Sequence, residues 1–130
     1  MKFAQRVFAT AGVWGLLVLS PLYFLFDEIS HKNPPAITHP EFFYGFVSVA
    51  LAWQVAFLVI ASDPVRYRLL MVPAMLEKFG YVGSVLVLFG QGRLPASSLI
   101  FAGTDFLLGV LFVVSFVRVG RQALAVGAQR

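Results

Sequence analysis

The stretch LLMVPAMLEKFGYVGSVLVLFG, Leu69 to Gly90, decides the fold. Crossing a hydrocarbon core of about 30 Å takes roughly 20 helical residues. This stretch is that long, and its only charges are the adjacent Glu77 and Lys78. Its apolar residues run on without the strict alternation of a barrel strand, so every backbone group can be satisfied in lipid only by a helix.

Working outward, three more runs have the same character: Val7 to Phe26, Glu41 to Ser62 and Ser98 to Val119, each bounded by charge, proline or glycine. The whole chain is 59% hydrophobic and 12% charged, with a mean hydropathy of +0.84, far from the usage of soluble domains. Four spans and their loops consume nearly all 130 residues. The expected fold is therefore all-α, a bundle of four transmembrane helices forming one integral membrane domain over residues 1–130. Lys2 and Arg6 precede the first run as they would in a signal peptide. That run is too long, however, and leads into Asp27 and Glu28 rather than a cleavage site, so a retained helix is expected, kinked at Pro21.

Orientation follows from the basic residues. Seven (Lys2, Arg6, Arg66, Arg68, Arg118, Arg121 and Arg130) fall on the side of the termini and the second loop, against Lys32 and Arg93 on the other. The positive-inside rule then places both termini in the cytoplasm. The same bias accounts for the net charge of +4, with anionic membrane lipid as its partner and no call for nucleic acid. Without cysteine there is no disulfide, thiolate catalysis or Cys-based metal site. Tyr23, Phe24 and Phe26, facing Phe42, Phe43, Tyr44 and Phe46, form an aromatic belt at the outer interface. Small residues (Gly12, Gly15, Gly45, Ser48, Ala52, Gly80, Gly83, Ser84, Ala102 and Gly109) mark faces where helices can approach closely.

Charges at membrane depth cost roughly 2.5–3.5 kcal/mol each on insertion scales and usually face a bundle interior or polar cavity. Three occur here: Glu77, Lys78 and Asp105. A rise of about 1.5 Å per residue puts Glu77 and Lys78 roughly 12–13 Å from the cytoplasmic side, level with Gln54, Trp53 and Trp14, and Asp105 about 10 Å below the outer surface. A lysine stem spans the remaining height, so Lys78 is expected to reach Asp105. Glu77, about 100° away around the helix on a face shared with Pro73, Gly80 and Ser84, is expected to turn towards Gln54 and the tryptophans. Two acids and one base leave one acid over. That acid, assigned to Glu77, should be protonated near neutral pH or hydrogen-bonded to water or ligand. Glu77, Lys78, Asp105, Gln54, Trp53 and Trp14 thus form the candidate ligand or proton site.

Other chemistry is thinly represented. Asp27, Glu28, His31, His39 and Glu41 share the first loop, but Pro34 and Pro35 separate the histidines and no zinc spacing is present, so no metal site is assigned. There is no phosphate-binding glycine loop, nucleotide fingerprint or Ser-His-Asp arrangement. No catalytic residue or cofactor is assigned.

Together His39-Pro40-Glu41-Phe42-Phe43-Tyr44-Gly45-Phe46, Asp63-Pro64-x-Arg66-Tyr67-Arg68, Glu77-Lys78 and Gly103-x-Asp105 resemble uncharacterised small four-helix bacterial membrane proteins over nearly the whole chain. In size and layout the chain is more loosely similar to the DoxX-like superfamily, whose members are linked to respiratory or redox systems. The resemblance implies a multi-pass protein of the bacterial inner membrane and carries no catalytic assignment. Small multidrug resistance transporters share the size and an intramembrane glutamate, but theirs lies in the first helix, where this chain has no acid between Arg6 and Asp27. The reading is a polar intramembrane site that binds a small amphipathic ligand, or a subunit of a membrane complex or homo-oligomer. The alternatives are a proton-coupled transporter using Glu77 and a lipid- or quinone-dependent enzyme.

Overall fold

The computed structural model describes all 130 residues. Its long helices are α1 (Lys2–Leu19), α3 (Pro40–Ser62), α4 (Met71–Gly90) and α5 (Ser98–Ala128), with a short α2 (Phe26–Lys32) in the first loop and no strand. With the turns that extend α1 and α4, four segments are long and apolar enough to cross a membrane. Only 22 of 130 residues are buried, and large apolar side chains such as Leu17, Leu76 and Ile100 point outwards. An apolar exterior of this extent belongs against lipid.

Helix ends follow local chemistry. Pro21 lies in the 3-10 turn Ser20–Phe24 that continues α1, where the sequence predicts a kink. Pro40 opens α3 with Glu41 in its first turn, suiting the helix dipole. Asp63-Pro64 closes α3; the Asp63 carboxylate accepts from the Arg66 backbone N–H at 3.1 Å, and its carbonyl accepts from Tyr67 N–H at 3.0 Å. After α4 the chain reverses through Gly92, whose φ of 71° suits a residue without a side chain.

Two boundaries and one element differ from the sequence reading. The first helix begins at Lys2 rather than Val7, and α5 runs to Ala128 rather than Val119. The apolar runs mark only the parts that need lipid, while helical hydrogen bonding continues through the charged flanks. At about 1.5 Å per residue, the 31 residues of α5 span about 46 Å, well beyond a hydrocarbon core of about 30 Å. The third difference is α2, which forms in an expected loop, with Asp27 and Glu28 in its first turn and His31 and Lys32 in its last. That arrangement complements the helix dipole at both ends.

Helix α1 lies along α3, α4 lies along α5, and α1 also packs on α5. Although consecutive in the chain, α3 and α4 barely touch. The Phe57 ring stands between them, with Lys78 Nζ 5.4 Å from its centroid. Phe8 stacks on Phe112 at 4.2 Å, and Phe57 meets Phe112 edge-on at 5.0 Å. Ala4, Ala11, Ile60, Met71, Ala74 and Val119 complete this core. It fills the half of the bundle nearer the chain ends, where the N-terminal amine donates to Gln122 Oε1 at 2.6 Å. The opposite end is closed by aromatics: Tyr44 stacks on Tyr23 at 5.6 Å and on Phe26 at 5.4 Å, and the Tyr23 hydroxyl hydrogen-bonds Ser48.

Candidate functional site

Position 78 belongs to the buried stripe of α4, Met71, Ala74, Lys78, Val82 and Val85, whose spacing of three and four carries it into the bundle. A lysine there must bring its charge to a partner or leave it uncompensated in a poorly polarisable interior. Lys78 Nζ donates to Asp105 Oδ1 of α5 at 3.2 Å, the pairing the depth estimate predicts. The lysine side chain is 6% exposed and that of Asp105 is 21% exposed. The ammonium also faces the Phe57 ring of α3, so one cation joins three helices.

Glu77 is held differently. Its Oε2 stands 3.3 Å from Lys78 Nζ, while its side chain is 23% exposed. The approach lacks hydrogen-bond alignment, and Oε2 is buried without a donor. Glu77 therefore sits beside the Lys78–Asp105 pair but ties α4 to no other helix. One turn beyond it, Tyr81 is half-buried. The sequence reading misses Tyr81, although its place four residues after Glu77 puts it on the same helix edge.

The other expected members lie elsewhere. Gln54 is 2% exposed and donates from Nε2 to the Ala50 carbonyl at 2.9 Å. Its side chain fills the space that Gly15 leaves on α1, so tightly that a Cβ at Gly15 would overlap the amide. Glycine on α1 draws Gln54 towards that helix, and Glu77 does not hydrogen-bond it. Trp53 is partly buried against the aromatic core, its ring 6.3 Å from that of Phe57. Trp14 is 55% exposed on the outer side of α1, in a shallow groove with Ala9, Thr10, Val13 and Leu17. The site is thus Glu77, Lys78 and Asp105, with Tyr81 at its edge and without Gln54, Trp14 or Trp53.

Beyond Glu77 on the same edge of α4, Gly80 and Ser84 are exposed, and nothing lies within 4 Å of where a Cβ at Gly80 would stand. The Ser84 hydroxyl is occupied by the Gly80 carbonyl at 2.9 Å. Gly80 and Ser84 thus form an open, uncovered face of α4 beside Glu77. In the first loop, His39 Nδ1 pairs with Glu41 Oε1 at 3.2 Å and Lys32 with Glu28 at 3.8 Å. No three of its acids and histidines converge on one point.

No family model, curated protein or solved structure matches the chain. The functional reading therefore rests on the geometry of the site.

Proposed function

We propose that this chain is a multi-pass protein of the bacterial inner membrane, with both termini cytoplasmic, that binds a small amphipathic molecule at Glu77, Lys78 and Asp105. Six of its ten basic residues, Lys2, Arg6, Arg66, Arg68, Arg118 and Arg121, lie near the end of the bundle where Met1 meets Gln122, and Arg130 follows the helix that projects from it. That distribution supports the orientation.

One observation carries the site: Glu77 is retained at membrane depth although it bridges no helices. Lys78 and Asp105 already neutralise one another and join α4 to α5, so a purely architectural ion pair would be complete without Glu77. Its buried Oε2 makes no aligned hydrogen bond and has only the shared Lys78 ammonium beside it, at 3.3 Å, and the neighbouring face of α4 at Gly80 and Ser84 is open. A ligand bearing a hydroxyl or amine would supply an aligned donor, and its apolar body would lie along Gly80 and Ser84. Such a polar contact at depth is worth about 1–2 kcal/mol, enough to orient a molecule that partitions into the membrane anyway.

Thermal unfolding of the purified protein in detergent, with and without native membrane lipid extract, tests this. The extract should raise the unfolding temperature of wild type but not of Glu77→Gln, and mass spectrometry should find a small molecule retained only by wild type. Equal stabilisation of both proteins contradicts the reading. So does a Glu77→Gln variant that changes oligomeric mass and leaves the extract response intact, because the open face beside Glu77 would then be a protein interface.

A further inference from the structure

A second polar feature lies at the terminal end of the bundle, far from Glu77. Arg68 begins the third apolar segment. It donates from Nε to the Phe116 carbonyl of α5 at 3.0 Å, and its guanidinium lies over the Phe116 ring, 3.8 Å from the centroid. The group fits there because residue 120 is glycine: a Cβ on Gly120 would stand 2.7 Å from Arg68 Cζ. The fork is thus locked in place by a backbone bond, a ring and a missing side chain.

Its Nη1 and Nη2 groups make no hydrogen bond or ion pair within the chain, and neither does Arg121, the residue after Gly120. Both arginines line one groove with Val117, Gly120, Ala123 and Leu124. Asp63 is the only carboxylate side chain near this end, and it is engaged with the Arg66 backbone. Two guanidinium groups that line one groove without a partner repel one another and call for an anion. Planar arginine forks favour phosphate, which accepts two parallel N–H bonds.

The surroundings select the carrier of that phosphate. Val113 and Val117 form an exposed apolar strip on α5 leading from the arginines towards the middle of the bundle. Leu69, next to Arg68, is 78% exposed. Phosphate and acyl chain are therefore accommodated in the order a lipid presents them at the headgroup boundary.

We infer that Arg68 and Arg121, over the floor left by Gly120, form a specific seat for the phosphate of an anionic glycerophospholipid whose acyl chain runs along Val117 and Val113. This site is independent of the Glu77 site and stands or falls separately.

Native mass spectrometry of the full chain in detergent micelles tests it, with dioleoylphosphatidylglycerol, dioleoylphosphatidylcholine and soluble glycerol 3-phosphate as probes. Phosphatidylglycerol should bind more tightly than phosphatidylcholine. Arg121→Gln should weaken phosphatidylglycerol binding by about tenfold, the loss of a charge-assisted hydrogen bond, and leave phosphatidylcholine unchanged. Arg121 is exposed and bonds to nothing, so this variant keeps its fold, and Gly120→Ala, which displaces the Arg68 guanidinium, should act in the same direction. Arg130→Gln removes the same charge elsewhere and should have no effect. Equal losses for Arg121→Gln and Arg130→Gln would show diffuse attraction only. Displacement of the lipid by glycerol 3-phosphate would show a soluble phosphate site. Either result, or an Arg121→Gln variant that binds as wild type does, overturns the inference.

Discussion

In the α1–α3 hairpin, two glycines let backbones meet: a Cβ on Gly12 would lie 2.9 Å from the Gln54 carbonyl oxygen, and Gly15 receives the Gln54 side chain. In the α4–α5 hairpin, Gly109 does the same for the Phe79 ring, which would stand 2.9 Å from a Cβ there, but an ion pair is added between Lys78 and Asp105. Lipid supplies no hydrophobic drive between helices, so close packing is the usual means of association. The first hairpin shows that this bundle can associate without charge. In the second the Lys78–Asp105 pair links α4 to α5, so Glu77, which ties α4 to no other helix, is the charge surplus to assembly.

The largest expected effect breaks the charged hairpin. Lys78→Met leaves two carboxylates without their cation, and removing one partner of a buried pair costs about 3 to 5 kcal/mol. Unfolding in detergent should show a loss of that order; a loss below about 1 kcal/mol would mean that water already screens the cluster. The apolar hairpin responds less. Gly12→Ala pushes a methyl against the Gln54 backbone, which cannot rotate away, and should cost about 1–3 kcal/mol of overpacking in the same measurement. Gly80→Ala, on the open face, should be neutral or slightly stabilising, since helical alanine is favoured over glycine by up to about 1 kcal/mol. The smallest effect on stability is expected for Glu77→Gln. The Lys78–Asp105 pair survives, and the change should stay within about 0.5 kcal/mol, as for residues without a structural tie.

The four crossings were legible in the sequence because an unbroken apolar run of about 20 residues matches the thickness of a bilayer and exceeds what the core of a small soluble domain can bury. The Lys78–Asp105 contact was legible too, because depth along a helix is fixed by residue count and a lysine can span the difference. Which way Gln54 would turn was not. Its side chain follows the space that Gly15 leaves on α1, and a single helix does not reveal which neighbour supplies that space. Trp14 shared the right depth but faces outwards, since depth says nothing about rotation around a helix axis. Helix α2 and the tail of α5 escaped detection because they lie outside the apolar runs. Their helicity depends on local charge and propensity, which hydropathy does not register.

The most direct measurement replaces the whole cluster by groups of similar shape, Glu77→Gln, Lys78→Met and Asp105→Asn together, and follows unfolding with and without native lipid extract. Buried ion clusters can often be replaced without loss of stability. The triple variant should therefore unfold at or above the wild-type temperature and no longer respond to the extract. A triple variant that fails to assemble would show that the charges hold the bundle together, and one that still responds would place the ligand elsewhere.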